Sequence, residues 1–80
     1  MAEENVVVVR ATGSWKESPG EAETDCHEKL DAALAAKTRE LKGQGKEVRQ
    51  GETRPLREEQ HPSKPLVRFH GEADLIWSKA

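Results

Sequence analysis

Residues 19–42 read PGEAETDCHEKLDAALAAKTRELK, and this stretch decides the fold. Its apolar residues recur at the spacing of a single helical face. These residues are Ala22, Cys26, Leu30, Ala33, Leu34 and Leu41. Ser18 is a favourable N-cap, Pro19 suits the first helical position, and Gly43 is a favourable residue just past the helix end. The pattern therefore predicts one long amphipathic helix over residues 19–42.

Strand patterns flank this helix. Residues 5–12 contain four consecutive valines, whose branched side chains suit a pleated strand. Residues 65–78 alternate apolar and polar side chains, which predicts a strand with one buried face. Residues 46–50 predict a third, short strand. If the last strand pairs between the other two, every neighbour is antiparallel and the longest strand is central.

The fold class follows from this order of elements. Residues 1–80 predict a single small α+β domain in the order β-α-β-β. Its architecture is a two-layer sandwich of one long amphipathic helix on a small, mainly antiparallel three-stranded sheet. We expect Leu30 and Leu34 to face Phe69 and Leu75 across the two layers. Residues 51–64 are polar and predict a mobile loop, and whether residues 46–56 form a hairpin stays open.

The composition predicts a small core in a soluble, cytoplasmic protein. Leu, Ile, Val and Phe number only 14 in 80 residues, so self-association that enlarges the core is expected. The single cysteine excludes an intrachain disulfide and a cysteine-based zinc site. The valine run is too short for a signal peptide or a membrane span, so no membrane partner is expected.

Chemically capable residues are present but poorly placed for catalysis. His70, Glu72 and Asp74 share one face of the last strand, but successive members are roughly 6.8 Å apart, too far for a compact metal chelate. Cys26 and His27 point about 100° apart on the helix. A phosphate-binding loop and a nucleophile motif are both missing from the sequence. The sequence thus predicts no catalytic residue, no metal, no cofactor and no enzymatic activity.

The valine run predicts an interaction surface. Side chains alternate along a strand, so one valine pair covers the helix and the other pair lies on the opposite side of the sheet. The predicted surface consists of Val6, Val7, Val8, Val9 and Trp77. The expected partner is another protein or a second copy of this chain, in a homodimer that pairs first strands or covers the spare valines.

An alternative function is weak nucleic-acid binding by residues 37–68, which hold 9 basic and 5 acidic groups. The basic patch would comprise Arg49, Arg54, Arg57, Lys64 and Arg68. These side chains would bind phosphates, whereas aromatic side chains would stack on bases. The chain has only three aromatic residues and a pI near 5.9, which argues against a dedicated nucleic-acid binder.

A third function follows from a resemblance in topology. The order strand, helix, strand, strand is similar to that of dodecins, small oligomers that store flavins. The resemblance implies a small-ligand storage oligomer, in which a flavin-type ligand stacks between tryptophans. In this sequence, Trp15 and Trp77 lie outside the second strand.

Overall fold

The computed structural model describes residues 3–80, which form one helix and four strands. The elements are β1 (Asn5–Thr12), α1 (Pro19–Gly43), β2 (Lys46–Thr53), β3 (Arg57–Gln60) and β4 (Val67–Lys79). The predicted α+β class, with one helix packed on an antiparallel sheet, is confirmed. The described sheet has four strands where the sequence predicted three.

Helix α1 begins at Pro19, as the sequence predicts, but it ends at Gly43, one residue later than predicted, and Gln44 takes the capping position. Ser18 is extended at the N-cap, with φ −118° and ψ 136°, and its hydroxyl accepts a hydrogen bond from the N–H of Glu21 at 3.3 Å. At the other end, Gly45 has a φ of +78°, a conformation that favours glycine and turns the chain into β2. The buried residues of α1 are Ala22, Cys26, Leu30, Leu34 and Leu41, which lie on the predicted face.

Strand β4 is the central strand of the sheet. β1 pairs with one of its edges in a continuous antiparallel register from Asn5 opposite Trp77 to Thr12 opposite His70. β2 and β3 both pair with the other edge, also antiparallel. This order places the longest strand between β1 and β2, the arrangement in which every neighbouring pair is antiparallel.

The region predicted as a polar loop, residues 51–64, differs from that prediction. β2 continues to Thr53, and residues 57–60 form β3, so both segments pair with β4 and neither forms a local hairpin with the other. The register shifts between Gln50 and Thr53, which marks an irregularity in this edge. The physical reason is that the 13-residue β4 exposes a long row of backbone donors and acceptors that need partners. The mobility of residues 51–64 stays a prediction.

The core consists of two clusters between α1 and the sheet. Leu30, Leu34 and Leu75 lie in the first, which agrees with the expected contact across the layers. Phe69 lies in the second cluster instead, with Ala22, Cys26, Val67 and the partly buried Leu56. The two clusters lie at different positions along β4, one around Leu75 and the other around Phe69, and each packs on a different part of α1.

Gly71 allows α1 to lie close to β4. A Cβ atom at this position would be 3.0 Å from Cδ2 of Leu30 and 3.2 Å from Sγ of Cys26. Both distances are shorter than ordinary van der Waals contact. A Cβ atom at position 71 would require the side chains of Leu30 and Cys26 to shift by a few tenths of an ångström, and the glycine lets them pack directly on the central strand.

The molecule is elongated for its length. Its extents are 51 × 19 × 17 Å, and its radius of gyration is 15.1 Å, whereas a compact domain of this length has about 12 Å. The accessible surface is 5460 Å², compared with about 4800 Å² for a compact monomer of this mass. Within residues 3–80, no helix combines the length and apolar character needed to cross a membrane.

We predict that Leu34→Ala lowers the free energy of unfolding by about 2–4 kcal/mol, the usual effect of deleting a buried leucine side chain. Leu34 is 9% exposed and packs in the first core cluster. Thermal melts would measure the change. The matched control is Asp31→Ala on the exposed side of α1, where a change within about 0.5 kcal/mol is expected. An unchanged melt for Leu34→Ala would show that this helical face is not buried.

Candidate interaction surface

In the part of the chain that the structure describes, one face of the sheet has no helix on it. Along β1, the side chains of Val7 and Val9 face α1, and those of Val6 and Val8 point to the opposite side, which we call the outer face. Val6 is 61% exposed and Val8 is 37% exposed, whereas Val9 is only 9% exposed. The structure thus identifies Val6 and Val8 as the valine pair that lacks a cover.

An apolar patch lies at one end of the outer face. Val6 is directly opposite Ile76 of β4, and Val8 follows two residues along β1 on the same face. We call these three residues the valine patch. A charged pair flanks the patch on one side, where Arg49 binds Glu4 at 2.8 Å. An apolar centre with a polar rim is the usual anatomy of a protein interface.

Within residues 3–80, no strand pairs with the side of β1 that faces away from β4, and we call this side the open edge. The N–H of Gly13 donates to the carbonyl of Phe69 at 2.9 Å, in the register that β1 keeps throughout. Because hydrogen-bonding direction alternates along a strand, the odd-numbered residues of β1 bond to β4. The N–H and C=O groups of Val6, Val8 and Arg10 therefore point to the open edge.

The two edges of the sheet differ in how well they are protected. The edge formed by β2 and β3 has a register shift after Gln50 and a proline at position 55, and both discourage further pairing. The open edge of β1 has neither feature between Asn5 and Thr12. A long, regular, valine-rich edge is the kind that pairs with another strand.

A groove runs between the open edge of β1 and α1. It has a volume of about 470 Å³. Its lining residues are Val7, Val8, Val9, Ala33, Ala36, Lys37 and Glu40. The alanines leave room above the edge, and the two long side chains of the lining, Lys37 and Glu40, pair with each other at 3.4 Å.

Ion pairs cover the middle of the outer face. The guanidinium of Arg54 binds both carboxylate oxygens of Asp74, at 2.9 and 3.2 Å, and also Glu72 at 3.2 Å. Glu72 in turn accepts from Nε of Arg10 at 2.8 Å. These contacts link β1, β4 and the segment between β2 and β3, and such cross-strand pairs stabilise a sheet face that no helix covers.

A second polar cluster lies at the far end of the outer face. Glu59 accepts from Nε of Arg68 at 2.7 Å and is 2.6 Å from Nε2 of His70, whose Nδ1 lies 2.9 Å from the hydroxyl of Thr12. The Arg68 guanidinium, followed by His70, holds the pKa of Glu59 below its ordinary value. The Arg68 side chain also lies over the Trp15 ring, 4.2 Å from its centroid.

The predicted basic patch does not form one uncompensated surface. Arg49 binds Glu4, Arg54 binds Asp74, and Arg68 binds Glu59. In residues 3–80, Arg57 and Lys64 form no ion pair. Arg57 lines a cleft of about 260 Å³. The other charged residues that line this cleft, Arg10, Arg54 and Glu72, already form ion pairs with one another or with Asp74. Most of these cations are therefore neutralised within the chain.

The structure separates the residues of the predicted valine surface. Trp77 lies opposite Val48 and faces the helix side of the sheet, where the ammonium of Lys46 lies 4.0 Å from its ring centroid. It therefore does not join Val6 and Val8 on the outer face. Ile76, which interrupts the polar side of the last strand, lies on the outer face opposite Val6 and was missing from the predicted surface.

The two tryptophans lie at opposite ends of β4. Lys16, next to Trp15, bridges to Val67, and Trp77 lies ten residues further along the strand. At about 3.3 Å per residue this separation is roughly 33 Å. One chain cannot place both indole rings on the same ligand.

The described residues contain no group of three or more His, Cys, Asp or Glu side chains able to hold a metal ion. Cys26 is fully buried, and burial raises the pKa of its thiol, so the thiolate that would act as a nucleophile is disfavoured. His70, Glu72 and Asp74 share the outer face as predicted, and each binds a neighbouring strand or its connection.

The chain matches no protein-family model, no curated protein and no solved structure. Its function is therefore inferred from the geometry of its own residues.

We predict that Glu59→Gln reduces the loss of stability in acid. The folded-state pKa of Glu59 lies below its ordinary value of 4.5, so its pairs with Arg68 and His70 stabilise the fold above that value, and this contribution is lost as the pH falls through the lowered pKa. Thermal melts between neutral and acidic pH would measure this, with the neighbouring exposed Glu58→Gln as the control. Parallel curves for wild type and Glu59→Gln would contradict the prediction.

Proposed function

We propose that this chain is a non-enzymatic protein-interaction domain that self-associates through its sheet. The observation that carries the proposal is the open edge of β1 with the exposed Val6 and Val8 beside it. Exposed apolar side chains and backbone groups without a strand partner thus lie together at one place in the described residues. A second chain that pairs with this edge would satisfy its backbone groups and place its own side chains beside Val6 and Val8, which shields part of their surface.

The energetic argument concerns the two exposed valines. Burying two fully exposed valine side chains would contribute roughly 3–5 kcal/mol by area estimates. A small domain has a net stability of about 5 kcal/mol. Val6 and Val8 keep 61% and 37% of their accessible surface, together about one fully exposed valine, so shielding what remains contributes at most about 1.5–3 kcal/mol. This is still a sizeable favourable contribution relative to the stability of the isolated chain.

The shape of the molecule gives independent support. The accessible surface exceeds that of a compact monomer of this mass by roughly 700 Å². A stable interface of standard size buries about 800 Å² from each partner. The surplus accessible surface of this elongated chain is therefore similar in size to the area that one subunit buries in a stable dimer.

Support for a non-catalytic role comes from the polar groups on the outer face. Glu59, Glu72 and Asp74 all accept from arginines that lie on or beside neighbouring strands. Carboxylates engaged in this way stabilise the sheet and are not free to transfer protons. The single cysteine, which is free and buried, fits the reducing cytoplasm that we propose as the setting.

Nucleic-acid binding has weaker support. Three of the five basic residues of the predicted patch are in ion pairs, so fewer cations are available to bind phosphates. Titration of labelled single- and double-stranded oligonucleotides at low and moderate salt would test this function. We expect no micromolar binding, whereas micromolar affinity with a steep salt dependence would favour the nucleic-acid binder.

We predict that the wild-type chain is a dimer in sedimentation equilibrium and that Val6→Lys/Val8→Lys is a folded monomer. Lysines on the outer face disrupt the partner surface but stay exposed to water. The matched control, Val7→Lys/Val9→Lys, should unfold because Val9 lies in the core cluster with Leu30 and Leu34. A monomeric wild type at high micromolar concentration would overturn self-association.

A further inference from the structure

We propose that two chains pair β1 against β1 in an antiparallel, two-fold arrangement centred on Val7, with Glu4 of each chain beside Arg10 of the other. This inference rests on the proposed self-association and adds its partner, its strand edge and its register. It makes one continuous sheet from two copies.

The direction of the backbone groups limits the possible registers. Only even-numbered residues of β1 point their N–H and C=O groups to the open edge. In an antiparallel pair, hydrogen-bonded residues lie directly opposite one another, so even residues must oppose even residues. The symmetric registers are therefore centred on one residue, and those near the middle of the valine run are centred on Val6, Val7 or Val8.

Charge complementarity selects among these registers. With Val7 on the two-fold axis, Val6 lies opposite Val8 of the other chain, and Glu4 lies opposite Arg10. The opposite charges then meet twice, because the arrangement is symmetric. With Val8 on the axis, Arg10 would lie opposite Val6, and Glu4 would lose a basic partner. Directly opposed charges of unlike sign stabilise a strand pair.

The existing ion pairs are compatible with this arrangement. Within one chain, Glu4 binds Arg49, and Arg10 binds Glu72. A carboxylate has two oxygens and a guanidinium has five N–H donors, so each can add a partner. The side chains of Glu4 and Arg10 are both exposed, with 57% and 72% of their surface accessible, and their pairing requires little desolvation.

Pairing of the edges also fits the helix layer. If each helix is centred on its own β4, the two axes are three strand spacings apart, about 14 Å. Packed helices need only 8–10 Å between axes. Ala33 and Ala36 line the groove on this side of α1, so the second chain's β1 can enter beside Val7 and Val9 once the flexible side chains of Lys37 and Glu40 turn towards water.

The alternative, stacking of two outer faces, is less favourable. It would bury the ion pairs that Arg54 forms with Glu72 and Asp74, together with the Arg10–Glu72 pair. Removing paired charges from water is costly and is often not recovered by their attraction. Edge pairing leaves these groups in water and still brings the valine patches of the two chains side by side.

Two charge-reversal variants test the register. Glu4→Arg places Arg beside Arg10 in its homodimer, and Arg10→Glu places Glu beside Glu4. The dimer dissociation constant of each variant alone should therefore be roughly tenfold higher than that of wild type. An equimolar mixture of the two should restore dimers, because both contacts then join opposite charges. Any effect on the intrachain pairs is the same in the separate and mixed samples. Sedimentation equilibrium of the three samples measures the outcome.

Disulfide crosslinking provides a second readout. In the proposed register the two Val7→Cys residues face each other with Cα atoms about 4.5 Å apart, which allows a disulfide under mild oxidation. Val8→Cys is the matched control, since its two copies lie about 7–8 Å apart on a diagonal and should not crosslink. Cys26 is fully buried and does not compete.

The possible failures are distinguishable. A monomeric wild type overturns self-association and this inference together. A dimeric wild type whose reversed variants do not recover on mixing, and whose Val7→Cys form stays uncrosslinked, overturns the edge register alone. Crosslinking of Val8→Cys in place of Val7→Cys would also reject the register centred on Val7.

Discussion

The pairing of β4 on both of its edges is the interaction on which the rest of the structure depends. β1 takes one edge, and β2 and β3 share the other. Helix α1 packs on the same strand, where Gly71 allows close contact with Leu30 and Cys26. Every element therefore contacts β4, and the molecule is long because this strand has 13 residues. The chain has few large apolar residues, and both of its core clusters form around the buried side chains of β4.

A single helix can cover only one side of this sheet. The opposite side is stabilised in two different ways along its length. Towards the middle and one end, ion pairs such as Arg54 with Asp74 and Glu59 with Arg68 satisfy polar side chains in contact with water. At the other end, Val6 and Val8 have no such compensation. The surface proposed for association is the part of the sheet that the chain's own side chains leave uncovered.

The proposed dimer follows from the same features of β1. Its regular register with β4 directs alternate backbone groups to the open edge, and its sequence places an acidic and a basic residue on either side of the valines. One strand thus provides hydrogen-bonding groups, apolar side chains and complementary charges in a symmetric order. The opposite edge lacks this regularity because its register shifts after Gln50.

The sequence by itself determined the start and buried face of α1, the positions of β1 and β4, and the requirement that two valines lie away from the helix. These properties depend on local periodicity and capping, which neighbouring residues specify. Only the tertiary structure decided that Val6 and Val8 are the outer pair, that residues 57–60 form a strand, and that Arg54 and Arg68 are neutralised by carboxylates on other strands. Each of these outcomes depends on which distant residues meet across β4, and the spacing of residues along the chain does not encode that pairing.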